Sequence, residues 1–352
     1  MKEVKFKVRV ECMTFNQSKY ILDTLNGFCI QQTSFPFVCT IIDDASTDGE
    51  TDIIRNYLTE YFELEEKQKF CVEETEDYSL IYAHHKTNPN CYFAVIFLKY
   101  NHYSIKKGKN QYVSELNKQV DYIAMCEGDD FWVNPLKLQI ECDFLDNHPD
   151  KGLVYTNCNV LFHDEGILHK NVFSTGFFKA TKNYKDFILE GKYLTPCSWL
   201  YRVDELSEIE VPSYVTDWTL FIAFSLLIRQ RVGYLDDTTC TYRVTHSSAS
   251  HSSDMKNKYS YIKNVYKTEE HLLNYYLDSF SESDLLKWKN RKYTIIIPYA
   301  VALGDEEMLH NIKQFKHLNV SLKKWILLYF SNISFLKKYV YSKLESSIKK
   351  GL

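Results

Sequence analysis

Three carboxylates fall within four residues in "YIAMCEGDDFWVNP": Glu127, Asp129 and Asp130, directly after an apolar run from Tyr122 to Cys126. Close carboxylates repel one another and are costly to desolvate, so such a cluster needs compensation, and the usual agent is a cation. A second acidic pair, Asp43 and Asp44, follows the β-branched run "FVCTII". Acids at the ends of two strands suit one task in particular. Asp44 can accept hydrogen bonds from a ribose hydroxyl or a base N–H, and Asp130 can bind a hard divalent ion that bridges two phosphates. Gly128 lets backbone approach such a ligand closely. Taken alone, an acidic pair reads rather as a solvated turn that caps a helix; two clusters at the ends of two predicted strands favour the ligand.

The elements that would carry these residues are legible from periodicity. Phe6, Val8, Val10 and Cys12 alternate with Lys5, Lys7, Arg9 and Glu11, which predicts a strand with one wet face. Ser18 reads as an N-cap for a helix with Ile21, Leu22, Leu25 and Phe28 on one face. Strand, helix and strand with short connections predict a βαβ unit and a parallel sheet. A helix follows near Gly49. Residues 63 to 90 are acidic and weakly patterned, and read as a mobile or inserted segment. Further strands are predicted at Tyr92–Leu98, near Tyr122 and at 152–162. "YVSELNKQV" reads as one helix, and another starts at Asn134-Pro135. In an open α/β sheet, ligands sit beyond the carboxyl ends of the strands, so both acidic clusters would face one crevice.

Other nucleotide sites are excluded by their own requirements. The turn after the first strand, "TFNQS", has no glycine, so a G-x-G-x-x-G dinucleotide site fails; no G-x-x-x-x-G-K-[ST] exists either. A net charge of -4 argues against a nucleic-acid binder. The ten cysteines are scattered with no zinc-type spacing. Several lie in apolar runs as reduced, small hydrophobes, which points to a cytoplasmic compartment. The start, "MKEVKFKVRVE", reads as neither signal peptide nor membrane span.

"MTFNQSKYILDTLNGFCIQQT…IIDDASTDGETDII" together with "YIAMCEGDDFWVNPLKLQ" resembles the inverting glycosyltransferase family 2, from about residue 6 to about residue 250. The resemblance implies a GT-A, Rossmann-like α/β fold: a mixed, mostly parallel sheet flanked by helices, here with a C-terminal helical extension. It implies transfer of a sugar from a nucleotide donor, a UDP-hexose or UDP-N-acetylhexosamine, to a saccharide or lipid-linked saccharide acceptor in surface polysaccharide assembly, with Mn2+ or Mg2+. It places Thr14 and Asn16 in the first nucleotide-contacting turn, and Asp43 and Asp44 in the base- and ribose-binding motif. The family's D-x-D metal motif reads Glu127-Gly128-Asp129 here, followed by Asp130. Asp129 is then assigned to ribose or metal and Asp130 to metal. The inverting base, which takes the acceptor's proton, falls at Asp217, ahead of the apolar run from Trp218; as an isolated residue it would be a helix cap. "YRVTHSSAS" matches a segment near the end of the family's catalytic region. Arg243 would meet phosphate, and His246 the metal or phosphate. Lys109, with Lys107, sits in the loop ahead of the metal strand and would help hold the diphosphate. Trp199 reads either as a sugar platform or as core.

These assignments divide the chain into a donor half (1–130), an acceptor half of the same domain (131–253) and a helical region (254–352). In the last of these, residues 316–352 hold eight Lys and one Glu, and "LKKWILLYFSNISFLKKYVYSKL" has the composition of an interfacial helix drawn to an anionic membrane surface; its runs are too short to span. Two competing readings are a catalytically silent nucleotide-sugar-binding protein and a nucleotidyltransferase. The latter wants a Gly- and Arg/Lys-rich loop after the first strand, which is absent.

Overall fold

Twelve strands form one mixed sheet in a computed structural model that describes residues 4–64, 73–178, 181, 183–192, 194–207, 215, 218–245 and 252–348. In chain order the strands are β1 (Val8–Thr14), β2 (Phe37–Asp43), β3 (Phe62–Glu63), β4 (Glu73–Glu74), β5 (Tyr78–His85), β6 (Cys91–Leu98), β7 (Tyr122–Met125), β8 (Phe131–Trp132), β9 (Leu153–Phe162), β10 (Ile167–His169), β11 (Trp199–Arg202) and β12 (Val232–Val244). Their lateral order is β3-β5-β6-β2-β1-β7-β11-β9-β12-β8, with β10 on β9 and β4 on β5. β6, β2, β1 and β7 run parallel, whereas β11 is antiparallel to both β7 and β9.

The βαβ expectation holds. β1 leads through α1 (Ile21–Cys29) to β2, which lies parallel beside it, and α2 (Glu50–Tyr61) follows. The expected wet face of β1 does not exist. β1 is central, and central parallel strands are covered on both faces. Arg9 is 1% exposed. Its guanidinium donates to Asn117 Oδ1 at 2.6 Å, Thr40 Oγ1 at 2.8 Å and Glu11 Oε2 at 2.5 Å. Three acceptors keep this buried cation satisfied.

Three local readings are corrected. Ser18 does not cap α1, which starts at Ile21; its amide instead donates to Asp48 Oδ2 at 2.9 Å. The segment 63–90 contains β5, an eight-residue strand alternating half-buried and buried side chains, antiparallel to β6. Residues 65–72 lie outside the described residues. The helix expected through "YVSELNKQV" shrinks to α3 (Ser114–Asn117). The helix read from Asn134-Pro135 starts later, as α4 (Lys137–Asn147) with Leu136 at its N-cap; Asn134 Oδ1 accepts from the Leu136 amide at 2.9 Å in the turn ahead of it.

α1 closes on β8 so tightly that a Cβ on Gly27 would lie 2.8 Å from the Trp132 nitrogen. α5 (Tyr184–Glu190), α6 (Val203–Ser207) and the apolar α7 (Trp218–Ile228) follow β9 and β11. The remaining helices are α8 (Met255–Tyr275), α9 (Glu282–Leu303), α10 (Glu306–Gln314), α11 (Leu322–Tyr329) and α12 (Ser334–Ile348). A capping box, Ser281 with Asp284, starts α9, which packs against α5, α8, α10, α11 and α12. Buried Glu269 accepts from Trp288 Nε1 and Arg291, and Arg291 also donates to the Ile188 carbonyl, so the helical region is tied to α5. Among the described residues no helix is long and apolar enough to cross a membrane.

A buried ion pair lies within α4, beside Trp132 of β8. Lys137 Nζ lies 2.5 Å from Glu141 Oε1, both side chains are 0% exposed, and Nζ sits 5.0 Å from the Trp132 ring centroid. Burial outweighs the Lys137 charge and pushes the Glu141 carboxyl up to about 7. Lys137→Met leaves that carboxylate buried without its partner and should cost about 3–5 kcal/mol in urea denaturation. Adding Glu141→Leu should recover most of the loss; a double variant as unstable as the single would contradict this.

Candidate functional site

The site is built on the last two residues of β1. Strand order reverses there: the chain proceeds from β1 to β2 and β6 on one side, then returns to place β7 on the other. This is the topological switch point at which open α/β sheets hold ligands. The Met13 carbonyl accepts from the Gly128 amide at 3.1 Å, and the Thr14 carbonyl accepts from the Asp44 amide at 3.0 Å. Both acid-bearing loops are thereby fixed to one strand end, with β2 and β7 about 10 Å apart across it. Two non-glycine residues here have left-handed backbone, Asn16 (φ 54) and Ala45 (φ 63). Such conformations cost of order 1–3 kcal/mol and persist only where the surroundings impose them. They do here: the Asn16 amide donates to Ser46 Oγ at 2.9 Å, and Asn16 Oδ1 accepts from the Thr47 amide at 2.7 Å.

The two acids of the first pair do different work. Asp43 accepts from the Ser46 amide at 2.9 Å and from Thr51 Oγ1. Asp44 is 3% exposed and faces the loop 99–113. Its Oδ1 accepts from the His102 amide at 2.7 Å, its Oδ2 from the Tyr103 amide at 3.1 Å, and Lys109 Nζ lies 2.8 Å from Oδ2. That loop is itself fixed by the His102 ring, set between the Tyr100 carbonyl and the Tyr112 hydroxyl at 2.9 and 2.8 Å. Lys107 turns elsewhere, to Asp77 at 2.6 Å; hydrogen bonds from Lys107 and Tyr100 hold the Asp77 carboxyl at about 2.

Around Gly128 the space is closed. A Cβ there would lie 2.2 Å from Thr14 Oγ1 and 2.4 Å from Gln17 Oε1. Thr14 Oγ1 bonds Gln17 and the buried Glu50, while Glu50 Oε2 accepts from the Gln17 amide at 2.8 Å and from Ser46 Oγ at 2.9 Å. Gln17 in turn hydrogen-bonds Asp129. Glu50 thus joins the loops after β1 and β2, and sequence reading missed it, because an acid in the first turn of a helix is ordinary. Burial pushes its carboxyl up.

In the second cluster Glu127 is exposed, Asp129 half-buried and Asp130 buried. Asp130 faces inward, where Oδ1 accepts from the Arg243 amide at 2.8 Å and the carbonyl accepts from Thr24 Oγ1 at 2.6 Å. Burial, with the neighbouring Asp129 charge, pushes the Asp130 carboxyl well up; burial also raises Asp129, against the nearby Arg243 charge. Arg243 is 3% exposed, its guanidinium 4.7 Å from the Tyr20 ring centroid and 5.0 Å from that of Phe131. It pairs with Asp23 at 2.6 Å, leaving a buried Nε without a partner. Hard carboxylate oxygens on an acid pair raised chiefly by burial suit a divalent cation. No trio of His, Cys, Asp or Glu is arranged as a metal cage among the described residues. Asp217 and His246 lie outside them. Trp199 is core, 1% exposed on β11. Glu205 of α6 pairs with Arg231.

Ionising Asp130 inside the fold opposes folding. Stability from this group is therefore greatest below the ordinary carboxyl range and falls as pH rises through its raised value. Asp130→Asn keeps an acceptor for the Arg243 amide and cannot ionise. In chelator, the variant should gain Tm relative to wild type as pH rises above the ordinary carboxyl range; a difference that does not change with pH would contradict the assignment.

No family model matches the chain. Three uncharacterized proteins, one from Mycobacterium bovis and two from strains of Mycobacterium tuberculosis, are each 26% identical over 237 residues, 66% of this chain. The match takes in 57% of their length, so the chain spans little more than half of these curated relatives. Among solved structures, residues 1–349 of Staphylococcus aureus TarS superpose with a TM-score of 0.52 at 18% identity, covering 99% of this chain and 92% of that one. The same TarS chain in complex with UDP-GlcNAc gives 0.48 at 17% identity over 98% and 92%. A mannosyltransferase from Pyrobaculum calidifontis in complex with GDP-Man and Mn2+ gives 0.48 at 14% identity over 99% and 89%. The TarS likeness is one of fold: a mixed α/β sheet of the GT-A class, flanked by helices and followed by a helical C-terminal region.

Proposed function

We propose that the chain is a metal-assisted, inverting glycosyltransferase that moves a hexose or N-acetylhexosamine from a UDP donor to a hydroxyl of a saccharide or lipid-linked saccharide, in surface polysaccharide assembly. One observation carries the reading. A buried carboxylate, Asp44, and the Gly128–Asp129 turn are hydrogen-bonded to the same strand end at the switch point of the sheet. A nucleoside diphosphate has the matching chemistry, with hydroxyls and N–H groups at one end and anionic oxygens at the other.

Each residue then has a task. Asp44 accepts from the ribose or base with the capacity left beyond His102, Tyr103 and Lys109. Lys109, at the mouth of the same loop, faces the diphosphate. Thr14, Asn16 and the Glu50 network fix the turn against which the nucleotide lies. Asp129, with exposed Glu127, would hold Mn2+ or Mg2+, and His246 is a further candidate; Asp130, turned toward Arg243, sets the loop. When bound, the ion neutralises charge on the departing diphosphate. Arg243, gripped between Tyr20 and Phe131, adds fixed positive charge beside Asp129. The acceptor oxygen attacks the anomeric carbon, the bond to the diphosphate breaks with its electron pair leaving on phosphate, and Asp217 takes the acceptor's proton. In the sequence Asp217 immediately precedes α7.

A panel of UDP- and GDP-sugars with Mn2+ or Mg2+ should show nucleotide release with a UDP donor. With that donor, Asp217→Asn should cut turnover by roughly 10²–10⁴-fold while calorimetry shows UDP binding unchanged. Asp44→Asn should instead weaken UDP binding by roughly 10-fold or more. Turnover that survives Asp217→Asn removes the base from that residue; UDP binding that survives Asp44→Asn removes the donor site from this crevice.

A further inference from the structure

α11 holds six apolar or aromatic residues and two lysines, and its apolar residues fall on two sides, of which only one is covered. Leu327 and Leu328 are buried, and α11 packs on α9. On the opposite side Leu322, Ile326 and Tyr329 recur at i, i+4 and i+7, exposed by 76%, 46% and 65%. The stripe continues through Phe330 and Ile333 in the connecting turn to Phe335 at the start of α12, which is 79% exposed. An exposed apolar ridge of this kind marks an interaction surface.

The charge beside the ridge indicates what covers it. Residues 316–352 carry eight Lys and one Glu, in a chain whose net charge is -4. Lys323, Lys338 and Lys343 are exposed, and Lys343 Nζ lies 6.0 Å from the Tyr339 ring centroid. The molecule is therefore an acidic body with a basic, aromatic tip. Pairing two such tips about a two-fold axis would set like charges against each other, whereas an anionic surface relieves them. Lysines around exposed aromatics and aliphatics are the composition of a segment lying in a lipid headgroup layer. Helices of 8 and 15 residues do not reach across a bilayer, which needs about 20.

We propose that the α11–α12 corner is a peripheral membrane-docking surface that takes an anionic phospholipid bilayer. Leu322, Ile326, Tyr329, Phe330, Ile333 and Phe335 enter the headgroup layer, and Lys323, Lys338 and Lys343 meet lipid phosphates. Repulsion of the acidic body keeps this tip foremost.

The test is co-sedimentation of the full chain with phosphatidylcholine vesicles, with and without phosphatidylglycerol, in the absence of any sugar donor. It is therefore independent of the transferase reading. Wild type should sediment with the anionic vesicles, not with neutral ones, and should release as salt is raised. Phe330→Ser with Phe335→Ser, and separately Lys338→Glu with Lys343→Glu, should each lower the partition coefficient roughly tenfold or more while the thermal melt is unchanged. All these side chains are exposed or half-exposed, so the fold does not rest on them. Wild type that ignores anionic vesicles, or ridge variants that bind as well as wild type, would overturn the proposal. So would ridge variants that only dissociate an oligomer in sedimentation velocity, because the surface would then belong to a second copy.

Discussion

Two backbone hydrogen bonds at the end of β1 hold the candidate site together. The Met13 and Thr14 carbonyls, at the end of β1, accept from the amides of Gly128 and Asp44, just beyond the ends of β7 and β2. Buried carbonyls need such partners, so the loops leaving β2 and β7 are drawn to one point by a requirement of the backbone. The acids on those loops then share a crevice because the strand order reverses at β1. A side chain at position 128 would collide with Thr14 and Gln17, which is why a glycine stands between Glu127 and Asp129.

That arrangement is electrostatically expensive, and the surroundings show how the cost is met. Arg9 in β1 and Lys137 in α4 are buried cations with carboxylate partners, so charge within the sheet is matched locally. At the crevice the matching is incomplete. Asp129 and Asp130 are both pushed up, and their nearest cation, Arg243, is engaged by Asp23 and two aromatic rings. Buried carboxyl groups held close together are relieved by a cation and by what the cation brings. Functional sites are where perturbed carboxyl groups of this kind collect.

Much of this was legible in the sequence, for identifiable reasons. Short β-branched runs bounded by Gly, Asp and Pro gave the parallel strands, because a buried strand tolerates little else. What periodicity could not show was lateral position. Arg9 in an alternating run reads as a wet residue, and only the placement of β1 between β2 and β7 buries it. β5 was hidden because its acidic flank masked an alternation of Tyr, Leu, Ile and Ala. Glu50 and His102 escaped for a different reason: each acts through a hydrogen bond to a residue 36 or 58 positions away, and no local pattern encodes that. Trp199 was left open between sugar platform and core, and its place on an interior strand settles it as core.

The account rests on one ligand bridging the two acidic loops. Its most direct test is the crystal structure of the chain soaked with UDP and Mn2+. The account predicts the ribose or uracil on Asp44, the ion on the Asp129 side of Gly128, and the diphosphate between them. UDP bound elsewhere, or bound in the crevice without contact to either loop, would contradict it.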